Sequence, residues 1–444
     1  MPCPQLSESL YLTASITSYD SAFNVKTTLT NTEYNCKFSA ITLSYNMSKI
    51  LNSKAPKGFL FATAEAAIKK PGRKDIALII SGAEADIAGA FTTNTVKAAP
   101  VKLCIKKIKS GKGRVIVVNS GNANACTGTQ GTKDANNIIS HISRQLGIKS
   151  SLIYPCSTGV IGTQMPMERI IPALPTLTQN VSGSSFEDVA KAIMTTDTFS
   201  KMILKKIKIG NTMGTISGIC KGAGMIAPNM ATMLCFILTD IAVEQKTLNK
   251  TLKSSVNKSF NRITIDGDMS TNDTVLMMAN GMLGNIPLTE KSGPFQTFQK
   301  ALDDLAYELA LLVVKDGEGA TKLIEVHVKG TRNEPDAAKA ALSIANSSLV
   351  KTAIYGNDAN WGRVMCALGY SGVVFREEKT DIFFNNVKVV KGGLANNKDK
   401  EATETLKAKT IKITVDLHSG SASSKVLTCD LTEEYIRINA HYRT

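Results

Sequence analysis

The stretch KGAGMIAPNMATMLCFILTD, residues 221–240, runs from a glycine-rich polar loop straight into an apolar block. One threonine, Thr232, stands at the junction between Ala231 and Met233. The block 233–238 reads as a buried strand and is closed by Thr239 and Asp240. A polar loop feeding a buried strand is a place where sites are built, so the fold and the function both turn on what surrounds this junction.

Outward from it, short strands alternate with helices from residue 55 onward. IALIIS (76–81) and RVIVVN (114–119) predict buried strands by their β-branched content. Residues 185–194 predict a helix start, with Asp188 early. Phe295, Phe298, Leu302, Leu305, Leu309 and Leu312 recur three and four apart, the spacing of one helix face, and the pattern stops at Asp316-Gly317. Ile324, Val326 and Val328 alternate with Glu325, His327 and Lys329, as on a half-exposed strand; Ile411, Ile413, Val415 and Leu417 alternate likewise. Late alternating strands predict an antiparallel sheet, so the class is α/β or α+β layers. Residues 396–404 and 419–425 are polar and read as loops.

The chain has 444 residues, 43% hydrophobic and 20% charged, an ordinary globular composition with room for two subdomains or one large α/β unit. No apolar run reaches the roughly 18 residues of a membrane helix, so no membrane partner is expected. The net charge is +15, which raises a nucleic-acid partner. The lysines are scattered, apart from a run at 201–208, and aromatics are only 6%, so a basic solvated surface is the better reading. Nine cysteines, with no CxxC pair, argue against disulfides and a zinc site and point to a reducing compartment, with the cytoplasm expected. Cys220 and Cys235 read as small buried apolar residues. Residues 1–46 are rich in Ser, Thr, Asn and Tyr and lack arginine. They resemble neither a signal peptide nor a good transit peptide, and read as a disordered lead or a start that belongs at Met47.

Several loops are dense in Gly, Asn, Thr and Asp: SGNANACTG (120–128), CSTGVIG (156–162), TIDGDMSTNDT (264–274), VKDGEGATK (314–322) and GNDANWGR (356–363). Each alone suits turns and caps; so many in one chain point to a site. None is a phosphate-binding GxxxxGK[ST] loop. Asp266 with Asp268, and Asp316 with Glu318, read as turns rather than metal ligands. His141, His327, His418 and His441 sit in none of these loops, which leaves a Ser–His–Asp triad without support.

Thr232 remains. A threonine hydroxyl needs a base to act as a nucleophile. Cleavage before Thr232 would supply one, because a free α-amine has a pKa near 8 and is partly neutral at cellular pH. The hydroxyl can make that cut itself, by attacking the Ala231 carbonyl and moving the acyl group from nitrogen to oxygen. Gly222, Gly224 and Pro228 suit a tight loop in front of it.

KGAGMIAPNMATML, with CSTGVIG before it and GNDANWGR after it, strongly resembles the bifunctional ornithine acetyltransferase / N-acetylglutamate synthase family of arginine biosynthesis. APKGF (55–59), FTTNTVKAAPV (91–101), SGNANACTG, MTTDT (194–198), DGDMSTNDT, VKDGEGATK and INAHYRT (438–444) match in family order. The resemblance implies an αββα-like sandwich of the self-processing, N-terminal-nucleophile type, with a smaller second α/β subdomain. Cleavage between Ala231 and Thr232 would give an α chain, 51–231, and a β chain, 232–444, behind a poorly structured segment 1–50. Thr232 is implied as the nucleophile, taking acetyl from N2-acetylornithine and passing it to glutamate. Thr158 and Gly159 match the oxyanion-hole pair. Thr195, Lys221, Thr232, Glu318, Asn439 and Thr444 match the substrate-binding positions, and Thr196 adjoins Thr195 closely enough that both stay open. Lys221 is suited to a substrate carboxylate and Glu318 to the ornithine ammonium.

The implied assembly pairs two α and two β chains. No cofactor or metal is implied, and acetyl-CoA enters only as a second donor in bifunctional members. Two departures stand out: His441 where an acidic residue is expected, and Ala359 where proline is expected. Three rivals remain: a self-processing aminopeptidase of similar scaffold, a basic RNA-binding protein and an uncleaved homologue. Intact mass with N-terminal sequencing separates them. The expected result is two chains, the second beginning Thr-Met-Leu-Cys; a single chain that stays whole on incubation would overturn the threonine mechanism.

Overall fold

The strand 76–91, apolar on both faces over its first half, sets the first layer. Residues of one parity pack one way and residues of the other parity pack the opposite way. The computed structural model describes residues 55–181, 183–227 and 233–441. The expected N-terminal segment 1–50, together with Pro228, Ala231, Thr232 and Thr444, lies outside the described residues.

The first sheet is built from β1 (Phe59–Ala64), β2 (Ile76–Phe91), β3 (Lys112–Asn119), β4 (Ile153–Ser157), β5 (Lys201–Ile209), β6 (Thr212–Lys221), β7 (Leu234–Thr239) and β8 (Thr274–Ala279). Between the strands run α1 (Ala99–Lys107), α2 (Gly128–Leu146), α3 (Met167–Gln179), α4 (Phe186–Ala192) and α5 (Gln245–Lys258), and α6 (Phe295–Lys315) follows. The strand order is β4-β3-β2-β8-β7-β6-β5, with β1 also on β2. β2 holds β1 along its first half and β8 along its second. Its pairing with β3 shifts register between Ile80 and Ala85, and such bulges bend a strand.

Ile79, Ile87, Ile116, Phe236 and Met278 share one core with Phe61 and Phe186. The rings of Phe61 and Phe186 stack at 5.0 Å. On the opposite face of β2 and β3, Leu78, Ile80, Val115 and Val117 meet Ile138, Ile142 and Leu174 of α2 and α3. On the opposite face of β7 and β8, Ile237, Val275 and Met277 meet Leu248, Leu252, Leu302 and Leu309 of α5 and α6. The layers therefore run helices, half-sheet, shared core, half-sheet, helices. α4 touches β1 and β2 and also β5 and β6, strands too far apart along the sheet for one helix to reach unless the sheet folds toward itself. The expected αββα order is what the cores describe.

Local chemistry explains the pieces. Every residue of β7 is buried, as its unbroken apolar run predicts. α4 starts on a capping box: Ser185 accepts from the Asp188 N–H, and Asp188 accepts from the Ser185 N–H. α6 covers the predicted stretch and ends before Asp316. It packs closely on β6 because Gly218 has no Cβ, which would stand 2.9 Å from Leu305 and Leu309.

The second sheet contains β9 (Leu323–Thr331), β10 (Asp381–Phe384), β11 (Val387–Lys391), β12 (Leu394–Ala395), β13 (Thr410–Asp416) and β14 (Ala422–Cys429), in the order β12-β11-β10-β13-β9-β14. α7 (Glu334–Asn346), α8 (Ser348–Tyr355), α9 (Trp361–Gly369), α10 (Asp399–Thr405) and α11 (Glu433–Ala440) complete the chain. Ala340 and Ile344 of α7 pack on Val326, Val328 and Val415.

Three expectations need correction here. The sheet is mixed rather than antiparallel, because β13 runs parallel to β9; alternation reports a half-buried face and carries no information on strand direction. Residues 396–404 contain α10, which buries only Ala402 and so shows no apolar stripe. Residues 419–425 run into β14, where Ser424 takes an inward position that an apolar residue would mark.

Among the described residues no helix is long and apolar enough to cross a membrane. Phe298 of α6 is fully buried. Phe298→Ala is expected to lower the unfolding free energy by roughly 3–5 kcal/mol in urea titrations. Ile286→Ala, at a side chain 88% exposed, is expected to stay within about 0.5 kcal/mol of wild type. Equal losses would break this layer assignment.

Candidate active site

The folding of the sheet brings the ends of β3 and β4 to the start of β8. The Asn272 amide, just before β8, donates to the Ser157 carbonyl at 2.8 Å and to the Ala123 carbonyl at 2.6 Å. Here a cavity of about 250 Å³ opens. Thr158, Gly159, Thr195, Thr196, Lys221, Glu318 and Asn439 all line it, joined by Asn272 and Met225. Six positions singled out in the sequence thus meet in one place, with Thr196 beside Thr195. Ala231, Thr232 and Thr444 lie outside the described residues, and so does Pro228.

Thr158 and Gly159 follow β4. The Thr158 N–H is spent on the Asn119 carbonyl at 3.0 Å. The Thr158 hydroxyl accepts from the Lys221 ammonium at 3.3 Å, which leaves its own hydrogen free to point into the cavity. Gly159 has φ +135°, and a Cβ there would collide with the Gly121–Asn122 peptide, so only glycine fits. Its N–H has no acceptor among the described residues. A hydroxyl and an N–H on adjacent residues can both face one developing oxyanion.

Lys221 ends β6 and is 3% exposed. Burial pulls its pKa below the usual lysine value and the Lys201 charge adds to this, while Asp197, Glu318 and Asp273 hold it up. Glu318 sits after α6, with its N–H on the Ala223 carbonyl at 2.8 Å. Its carboxylate accepts from the Asn439 amide at 2.8 Å and lies over Gly224, where a Cβ would run into it. Asp266 holds the loop that carries Met225: it accepts from the Met225 N–H at 2.6 Å and the Ile226 N–H at 2.8 Å. The expected turn at Asp266 is therefore also a clamp. Met233, the residue after Thr232, is buried, and its N–H donates to Asp273 at 3.0 Å.

A buried ion cluster underlies these loops, and the sequence reading missed it. Lys201 is 0% exposed. Its ammonium donates to Asp197 at 2.7 Å and to Asp316 at 2.5 Å. Asp197 also accepts from the Gly222 N–H at 2.7 Å and the Thr195 N–H at 3.0 Å. Asp316 accepts from the N–H and the hydroxyl of Thr198. Burial alone would raise the Asp197 pKa, but Lys221, Lys201 and the Gly222 N–H outweigh it and hold the carboxyl at about 2. The run 201–208, read as solvated basic surface, is strand β5, and its first lysine points inward. The one available signal was the pair Asp197 and Lys201, four apart beside MTTDT. Asp316, read as part of a turn, belongs to this cluster, whereas Glu318 faces the cavity.

A second chamber of about 520 Å³ shares Gly159, Val160, Thr195 and Thr196 with the first. Lys69, Lys70, Arg73 and His441 line it. GNDANWGR lines neither chamber: Asn360 caps α9 by accepting from the Arg363 N–H, and Arg363 donates to the Leu349 carbonyl. Among the described residues no group of three or more His, Cys, Asp or Glu is placed to hold a metal.

Lys201→Met leaves Asp197 and Asp316 buried without their cation. It is expected to cost roughly 3–5 kcal/mol of stability by urea titration. The acid limb follows from Asp197. Its folded pKa, about 2, lies below that of the unfolded chain, near 3.9. Its contribution is therefore full above about pH 4 and is lost as pH falls toward 2. Melting temperatures measured across that window are expected to drop in the wild type.

The family model described as "ArgJ family" matches residues 60–444. A curated relative from Geobacter sulfurreducens, "Arginine biosynthesis bifunctional protein ArgJ", is 50% identical over 390 residues, 87% of this chain and 99% of the relative. Among solved structures, the arginine biosynthesis bifunctional protein argJ of Bacillus halodurans is 46% identical, covers 46% of this chain and 97% of that chain, and superposes with a TM-score of 0.45. An ornithine acetyltransferase from Mycobacterium tuberculosis, solved with ornithine, is 34% identical over 39% of this chain and 93% of that chain, with a TM-score of 0.36.

Proposed function

The chain belongs to the ArgJ family, and on that premise we propose that it is a self-processed glutamate N-acetyltransferase that moves acetyl from N2-acetylornithine to glutamate. The observation that carries this reading is the convergence of Thr158, Gly159, Thr195, Lys221, Glu318 and Asn439 on one cavity beside the strand that Thr232 precedes.

The chemistry of the lining supports it. Cleavage before Thr232 gives that residue a free amine, the base its hydroxyl needs. The hydroxyl attacks the acetyl carbonyl of acetylornithine. The oxyanion forms toward the Thr158 hydroxyl and the Gly159 N–H, and one such donor is worth roughly 3–4 kcal/mol in the transition state. The C–N bond breaks, ornithine leaves with the proton passed from the hydroxyl, and an acetyl ester stays on Thr232. The glutamate amine then attacks the ester and leaves as N-acetylglutamate, restoring the hydroxyl. Both substrates carry an α-carboxylate, and Lys221 offers one buried ammonium for it. Ornithine carries a side-chain ammonium, and Glu318, steadied by Asn439, offers the carboxylate. Thr195 or Thr196 supplies a further hydroxyl at the wall.

The cycle needs no metal or prosthetic group; acetyl-CoA, where it serves, is a co-substrate that acylates the same hydroxyl. The proposed chains are 51–231 and 232–444, paired as two α and two β chains, with residues 1–50 outside them. A cytoplasmic setting suits the seven cysteines that are free among the described residues.

Thr232→Ala is expected to stay as one chain and to transfer no acetyl in an assay with acetylornithine and glutamate. Glu318→Gln is expected to raise KM for acetylornithine roughly tenfold or more, as loss of a charged partner does, and to change KM for glutamate much less. Equal rises for both substrates would move Glu318 away from the ornithine ammonium.

A further inference from the structure

The two chambers of the site differ in charge. Among the described residues, Lys221 and Glu318 are the charged side chains on the wall of the first. Lys69, Lys70 and Arg73 stand on the wall of the second with His441, and Asp75 is its one carboxylate among the described residues. Asp75 is spent on its own loop: its oxygens accept from the Ala66 N–H at 2.7 Å and the Ile68 N–H at 2.6 Å. The chambers meet at Gly159, Val160, Thr195 and Thr196, which line both.

Arg73 is built into this wall. Its Nη2 donates to the Met194 carbonyl at 2.5 Å and to the Ser120 hydroxyl at 3.3 Å, and lies 3.5 Å from the Ala192 carbonyl. All three acceptors are neutral oxygens. Nε and Nη1 have no hydrogen-bond acceptor among the described residues. Those two nitrogens carry most of the N–H groups of a guanidinium. Lys70 is exposed and has no ion pair among the described residues.

The proposed acceptor brings two carboxylates. Lys221 pairs with the α-carboxylate, and the first chamber holds no second cation among the described residues. The side-chain carboxylate cannot take the place of the ornithine ammonium, because Glu318 repels it; like charges set against each other at a binding surface are strongly disfavoured. The basic chamber beyond Gly159 and Thr195 has the opposite polarity, and a guanidinium fork matches the geometry of a carboxylate.

We infer that the second chamber is the side-chain subsite of the acceptor, in which Arg73 and Lys70 hold the γ-carboxylate of glutamate. This deepens the proposed function and rests on it. The two substrates share the Lys221 end and part at their side chains, the ornithine ammonium toward Glu318 and the glutamate carboxylate toward Arg73. Arg73 and Lys70 thereby set acceptor specificity, favouring an amine with a negative side chain over one of the same shape without charge.

The test measures acetyl transfer from acetylornithine to glutamate and to glutamine, whose side chain has the same shape and no charge. Wild type, Lys70→Glu and Arg73→Gln are compared, with circular dichroism as the folding check. Wild type is expected to favour glutamate by at least ~10-fold in kcat/KM. Each variant is expected to raise KM for glutamate at least ~10-fold. KM for glutamine and for acetylornithine is expected to stay within about twofold, so the preference for glutamate collapses. An Arg73 that only holds the Met194 loop would weaken both acceptors alike. That outcome, or a preference unchanged in the variants, or a wild type that does not distinguish the two acceptors, overturns the inference and leaves the proposed function standing. A wild type that acetylates neither acceptor overturns both. Should Arg73→Gln misfold, Lys70→Glu decides, because Lys70 makes none of the loop contacts of Arg73.

Discussion

One buried ammonium organises the site. Lys201 reaches Asp197 and Asp316, and through them holds the loop of Thr195, the loop after Lys221 and the loop before Glu318. A lone charge at that depth would cost several kcal/mol, so the cluster exists only with all its partners in place. Because each carboxylate also takes backbone N–H groups, the loops are held by their peptides. Their side chains stay free for the cavity. Positioning to within a fraction of an ångström is what acyl transfer requires, and charge–dipole contacts in a dry interior supply it.

The second constraint is the bend of the sheet. β2 holds β1 and β8 along one edge and bulges against β3. The two half-sheets then share a core built on Phe61, Phe186, Phe236 and Met278. That closure is why Asn272, before β8, can bond carbonyls at Ala123 and Ser157. Without it, Thr158 and Gly159 after β4 and the start of β7 would belong to distant parts of the layer. The second sheet contributes through the chain end: α11 brings Asn439 to Glu318.

Elements with strong periodicity were legible. α6, β7, β9 and β13 lie where their apolar spacing places them, because burial enforces that spacing. Elements with one buried residue were not, as α10 shows with Ala402. Strand direction was not legible either, since a half-buried strand alternates in the same way whichever way it runs.

Six of the residues that line the cavity were legible in the sequence through its resemblance to a family, because the motifs that carry it are local: CSTG, MTTDT and the KGAG segment each stand within a few residues. The positioning residues were decided only by tertiary structure. Lys201 resembles its neighbours Lys205, Lys206 and Lys208, and beyond its spacing of four from Asp197 nothing local distinguishes a buried ammonium from a solvated one. Its partners Asp197 and Asp316 come from different parts of the chain. Asp273 likewise reads as one polar residue among several, and only the fold shows that its carboxyl group is buried. Burial and partnership are properties of the packed interior, and a linear pattern does not encode which polar group will be enclosed with which.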